Sequence, residues 1–244
     1  HLQHLLITVW SNAEAATPEQ AAKVLVSGVN GVVSANSAAY AEVLRKLPAN
    51  TLLRKPLVIG HRGMPSREDE NTLESAKAAV AAGADAVEND IYITTDDHLV
   101  IMHDDTVTRT TNGTGNVEDM SLEQVKALAT KTKGYKVPTM REYFNAFKEQ
   151  PITHVIELKS SNPRIIAQLK KEMAEEGVAD QAVAISFIAD QLKRSGEQMP
   201  ELTGGFLNSI ADSTDVPASV RNVLEATQAN SSTFNPSYTA IRQS

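Results

Sequence analysis

Apolar residues in this chain fall into short runs flanked by turn formers, and between the runs they recur every three or four positions. The short runs predict strands at 5–10, 29–33, 57–61, 86–93, 99–103, 152–158, 182–187, 204–207 and 233–235. The periodic stretches predict helices with clear start signals. Thr17-Pro18-Glu19-Gln20 sets an N-cap before a proline, and Asn71 or Thr72 caps a helix over 73–82. Ser121-Leu122-Glu123-Gln124 and Thr139-Met140-Arg141-Glu142 have capping-box spacing, and Asn162-Pro163 launches a long helix to about Gly177. Strands alternating with helices predict parallel βαβ units in an α/β fold. One link breaks the pattern: residues 94–98 are too few for a parallel crossover, so 99–103 should fold back on 86–93 as a hairpin turning near Asp96.

Strand alternation then places the chemistry. In 86–93 it puts Glu88, Asp90 and Tyr92 on one face, with Val87 and Ile91 on the other. In 152–158 and just beyond, Glu157 and Lys159 share a face while His154 points away. Carboxylates converging from two strands suit a hard cation such as Mg²⁺ or Ca²⁺, and without a His/Cys cluster zinc is disfavoured. His61 and His103 each end an apolar run, and the hairpin brings His103 towards the acidic pair. Two imidazoles flanking one phosphate can take a proton from an attacking hydroxyl and return one to a leaving alkoxide. Arg62, a planar bidentate donor, is the natural phosphate clamp. His98, after Asp96-Asp97, belongs to an exposed turn, and His1 and His4 are incidental.

Composition narrows the class. The 244 residues, 41% hydrophobic, are enough for one α/β barrel, and a net charge of −7 without a block of Lys or Arg excludes a nucleic-acid surface. No apolar stretch is long enough to span a membrane and no charged leader opens the chain, which predicts a soluble protein of undetermined compartment. The absence of cysteine excludes thiol chemistry.

Taken in order, Gly60-His61-Arg62-Gly63, Glu70-Asn71-Thr72, Gly83-Ala84-Asp85 leading to Glu88-x-Asp90, Thr94-x-Asp96, His103-Asp104, the run from Arg109 to Gly115, Val137-Pro138-Thr139, Glu157-Leu158-Lys159 and Ser186-Phe187 resemble the glycerophosphodiester phosphodiesterase family. The resemblance implies a (β/α)₈ TIM-type barrel and hydrolysis of a glycerophosphodiester to glycerol 3-phosphate and an alcohol. It also implies a divalent cation held by Glu88, Asp90 and Glu157, general acid and base at His61 and His103, and Arg62 and Lys159 beside the phosphate. Asn89 departs from the apolar residue usual there. A lysophospholipase D-like phosphodiesterase is the alternative within enzymes, and a catalytically silent barrel module of a tandem protein is the alternative outside them.

Chain order is the larger departure. The segment 6–12 resembles the family's penultimate strand, with its Trp motif at Trp10, and 28–33 resembles the last, with Ala35 replacing the usual Asp. Phe234-Asn235-Pro236 resembles the strand that precedes the Trp strand. Residues 57–244 thus supply six barrel strands and residues 1–50 the remaining two, leaving 99–103 outside the count. Three arrangements fit: a permuted barrel closed within one chain, a homodimer exchanging these elements, or the tail of a preceding barrel joined to a shortened one. In either closed form Trp10 sits at the catalytic end of its strand as a pocket candidate, and Phe206 is a second, poorer one.

Overall fold

The computed structural model describes residues 8–11, 17–26, 29–48, 56–208, 221–222, 225, 227–228 and 232–236. Strands and helices alternate as β1(Thr8–Ser11), α1(Pro18–Leu25), β2(Gly31–Ser34), α2(Ser37–Lys46), β3(Leu57–Gly60), α3(Leu73–Ala81) and β4(Ala86–Ile93). After β5(Leu99–Ile101) come α4(Leu122–Ala127), α5(Met140–Phe147), β6(Thr153–Leu158), α6(Arg164–Glu176), β7(Ala182–Ser186), α7(Ala189–Gln198), β8(Thr203–Asn208) and β9(Ser232–Pro236). Residues 5–7 of the first predicted strand lie outside the described residues.

The helix starts follow their local chemistry. Thr17, Ser121 and Thr139 each close a capping box, and Thr72 rather than Asn71 caps α3 by accepting the Ser75 N–H. The long α6 ends at Gly177 in the left-handed conformation, φ +69°.

Eight strands run parallel in the order β1-β2-β3-β4-β6-β7-β8-β9, and β1 and β9 lie beside one another, so the sheet curls into a (β/α)₈-type barrel. The first two strands join the sheet through β2, which pairs with β3 from Gly31↔Leu57 to Ser34↔Gly60. β5 stands outside the barrel, antiparallel to the end of β4, as the short link requires. Its turn is tied by Thr94 Oγ1 donating to Asp96 and by the Thr94 N–H donating to the His98 carbonyl, with Asp97 at φ +62°. A small core of Tyr92, Val100, Met102, Val107, Val117, Val125 and Val137 supports this excursion.

Alternate residues of the strands divide into two cores. Val32, Val58, Val87, Ile91, Ile156 and Ala184 face the helices, while Val33, Ile59, Ala86, Val155, Ile185 and Leu207 face the barrel axis. The axis side leaves a cavity of about 250 Å³ towards the strand starts, lined mainly by these apolar residues. None of Glu88, Asp90 and Glu157 lines it, so it is packing space towards the other end of the barrel. Among the described residues no helix is long and apolar enough to cross a membrane.

Candidate active site

All eight residues of β4 are buried, because the strand is covered on both faces. Alternation sends Glu88 and Asp90 towards the axis, and β6 pairs beside it with Glu157 directly across from Asp90. Ligand oxygens of Glu88, Asp90 and Glu157 come within 4.8 Å of one another. Burial and the neighbouring acids push the carboxyls of Glu88 and Asp90 well above the ordinary carboxylate range. Glu88 Oε1 and Asp90 Oδ1 are buried with no hydrogen-bond partner. Bare oxygens on two of three clustered carboxylates are what a divalent cation would satisfy, and the all-oxygen donor set fits a hard one.

The turn after β3 supplies the next groups. The His61 N–H donates to the Ser34 carbonyl at 3.1 Å and the Gly63 N–H to the Gly60 carbonyl at 3.1 Å. Arg62 sits at φ +55°, a conformation that costs a non-glycine residue energy and so signals a constraint from its surroundings. That constraint is visible: the Arg62 N–H donates to Glu88 Oε2 at 2.8 Å, and Arg62 Nε lies 3.6 Å from Asp90 Oδ2. Gly63, at φ +85°, packs so closely on α3 that a Cβ would come within 2.5 Å of the Ser75 carbonyl carbon. His61 Nε2 stands 3.9 Å from Glu88 Oε2 with its side chain 12% exposed. Burial, then the charges of Arg62, His103 and Lys159, hold its imidazole down to about 3, so it is neutral near pH 7.

His103 approaches from the hairpin side, two residues beyond β5. Its Nδ1 is 2.6 Å from Asp104 Oδ1 and its Nε2 is 3.3 Å from Lys159 Nζ. Arg109 holds the Asp104 carboxyl down to about 2, so Asp104 accepts and His103 Nδ1 carries the proton. Lys159 Nζ also lies 3.1 Å from Glu157 Oε1 and 3.9 Å from Asp90 Oδ1. His61, Arg62, Glu88, Asp90, His103, Glu157 and Lys159 therefore converge at the carboxyl ends of β3, β4 and β6, the barrel face where reaction sites are built.

Two pocket candidates fare differently. Trp10 is in backbone register with Val33, one residue from the end of β1. Phe206 lies between Gly205 and Leu207, which line the axial cavity, and so takes the outward phase of β8. That phase puts it on the same side as its partner Ser186 of β7. His154 faces the helices, edge-on to Phe144 with ring centroids 5.2 Å apart, and His98 is exposed, both as predicted.

Residues without a role assigned from sequence complete the site. Asn71, at φ +57°, donates from Nδ2 to Asp90 Oδ2 at 2.9 Å. Glu70 accepts from Arg62 at 3.1 Å and from both terminal nitrogens of Arg109, at 3.0 and 2.6 Å. Their signal was the Glu70-Asn71-Thr72 motif itself, an acid and an amide immediately before a helix cap.

Residues 61–240 match the model of the glycerophosphoryl diester phosphodiesterase family. A glycerophosphodiester phosphodiesterase of Caldanaerobacter subterraneus subsp. tengcongensis is 37% identical over 162 residues, covering 63% of this chain and 67% of that protein. The stretches aligned with two Bacillus subtilis relatives span 44% and 57% of their lengths. Among solved structures, one described as a putative glycerophosphoryl diester phosphodiesterase from Silicibacter pomeroyi superposes with a TM-score of 0.67 at 21% identity, covering 76% of each chain. An Oleispira antarctica phosphodiesterase in complex with sn-glycerol-3-phosphate gives 0.62 at 23% identity, covering 74% of this chain and 83% of that one. The structural matches carry the barrel, and the ordered motifs around the acid cluster carry the rest: this chain belongs to the glycerophosphoryl diester phosphodiesterase family.

Proposed function

We propose that the protein hydrolyses glycerophosphodiesters to glycerol 3-phosphate and an alcohol. The observation that carries this reading is the convergence of three buried carboxylates, two imidazoles and two cationic side chains at one end of the barrel. Glu88, Asp90 and Glu157 would hold a divalent cation, Mg²⁺ or Ca²⁺, which when bound polarises a phosphate oxygen and lowers the pKa of a nucleophilic hydroxyl. Arg62 and Lys159 bind the phosphodiester and offset charge developing on its free oxygens. His103, with its proton on Nδ1 against Asp104, exchanges the reaction's proton at Nε2, and the carboxylate stabilises the imidazolium that forms. The opposite proton movement falls to His61, whose burial keeps it neutral between turnovers.

The test is release of glycerol 3-phosphate from glycerophosphocholine with Mg²⁺, with Ca²⁺ and with chelator. Cation-dependent release is expected, reduced about 10²- to 10⁴-fold by His103→Ala or His61→Ala. No release from folded protein, or wild-type turnover by His103→Ala, would overturn the reading.

The barrel is closed within one chain, its first two strands standing where the family's last two stand. Parallel pairing of β2 with β3 and the approach of β1 to β9 support this over exchange between two copies. Sedimentation at a monomer's mass is expected, and a stable dimer would favour exchange.

A further inference from the structure

Arg109 touches none of the reacting groups, yet it joins the two sides of the site. Its Nε donates to Asp104 Oδ2 at 2.5 Å and its Nη2 to Asp104 Oδ1 at 3.2 Å. The same guanidinium donates to both oxygens of Glu70. Asp104 in turn holds His103 Nδ1, and Glu70 accepts from Arg62 Nη1. One planar fork is thus clamped between two carboxylates, one setting the imidazole and the other the phosphate clamp.

The electrostatics agree with the geometry. Burial alone would raise the Glu70 carboxyl, but the hydrogen bonds and charges of Arg109 and Arg62 reverse this and hold it below the ordinary range. His103 and Arg62 lie on separate loops, and among the described residues the fork joins them by a route that bypasses the acid cluster. We infer that Arg109 is a positioning residue, fixing His103 through Asp104 and Arg62 through Glu70, so that base and clamp meet the same phosphate. The part concerning turnover rests on the proposed hydrolysis; the part concerning geometry does not.

The side chain is 47% exposed, so Arg109→Ala should fold, with its melting temperature as the check and Arg109→Lys as the second variant. On glycerophosphocholine, Arg109→Ala should lower kcat about 10- to 100-fold, the usual cost of removing a partner that orients a reacting group. Arg109→Lys should recover little, because an ammonium cannot span both carboxylates. Added ethylguanidinium should restore part of the Arg109→Ala loss. In a His103→Ala background the same substitution should cost less than about 3-fold, because residues acting as a unit are not additive. A second readout needs no turnover: the ¹⁵N-imidazole spectrum, with His103 assigned by its absence from His103→Ala. The hydrogen-bonded Nδ1–H signal should weaken or shift in Arg109→Ala. Unchanged signal, equal costs in both backgrounds, or full activity of Arg109→Lys would each overturn the inference. A wild-type protein that releases no glycerol 3-phosphate but loses the signal on Arg109→Ala would overturn the proposed hydrolysis and leave the positioning role supported.

Discussion

His154 should make the protein lose stability in mild acid, and the size of the loss follows from where the ring lies. Strand alternation turns it away from the reaction site into the helix-facing core, where Phe144 and Phe147 pack edge-on against it and neither ring nitrogen has a hydrogen-bond partner. Burial therefore pushes the imidazole from its ordinary 6.5 down to about 4. The unfolded chain takes up the proton at the higher pH, so the contribution is fully present above about 6.5 and is lost as pH falls through that value towards 4. At about 1.4 kcal/mol for each pH unit between the two states, the whole effect is about 3 kcal/mol, of which about 2 kcal/mol is gone by pH 5. For a domain of this size that is about 4 to 8 °C in melting temperature. His61 adds a loss of the same sign, and the raised carboxyls of Glu88 and Asp90 oppose it, so the assay is a difference. Thermal melts of wild type and His154→Leu at pH 7.5 and pH 5 should show the variant gaining about 2 kcal/mol on the wild type at the lower pH. Parallel pH profiles for the two proteins would refute the reasoning.

Three further outcomes follow from other positions. Asn89→Leu should stabilise by about 1 to 3 kcal/mol, because the buried amide leaves both polar atoms unpaired on the outward face of β4, and a lower melting temperature would show that the amide has a partner in solution. Gly63→Ala should cost about 2 kcal/mol or more and reduce turnover with it, since a Cβ there meets the Ser75 backbone at an unfavourable φ; wild-type stability and activity would contradict the close packing. Asp90→Asn should raise the melting temperature of cation-free protein by relieving like-charge crowding and abolish the increase that saturating Ca²⁺ or Mg²⁺ gives the wild type, about 3 kcal/mol at a hundredfold excess over Kd. An undiminished cation shift in Asp90→Asn would remove that carboxylate from the cluster.

What could be read from sequence was what local rules decide. Caps at Thr17, Ser121 and Thr139 are fixed within four residues, and the five-residue link after β4 permits only a hairpin. The inward parity of Glu88, Asp90 and Glu157 follows from strand geometry once the strands are known. What local rules leave open is decided by tertiary structure. The phase of Phe206 depends on the register of β8 against β7. The cap left open between Asn71 and Thr72 falls to Thr72, while Asn71 reaches Asp90, nineteen positions away. Glu70 and Arg109 are thirty-nine residues apart, and no local pattern announces that they share a guanidinium.

Charge explains why so costly an arrangement is kept. Burial, and then the neighbouring acids within 4.8 Å, raise the carboxyls of Glu88 and Asp90, so the cluster destabilises the cation-free barrel. Arg62 lies 3.6 Å from Asp90 and Lys159 lies 3.1 Å from Glu157, but Arg62 is shared with Glu70 at 3.1 Å, so the two cations do not cancel the cluster. On the proposed reading a divalent cation would supply the missing positive charge where the three acids converge, so the groups that destabilise the cation-free barrel are the ones that would hold the cation.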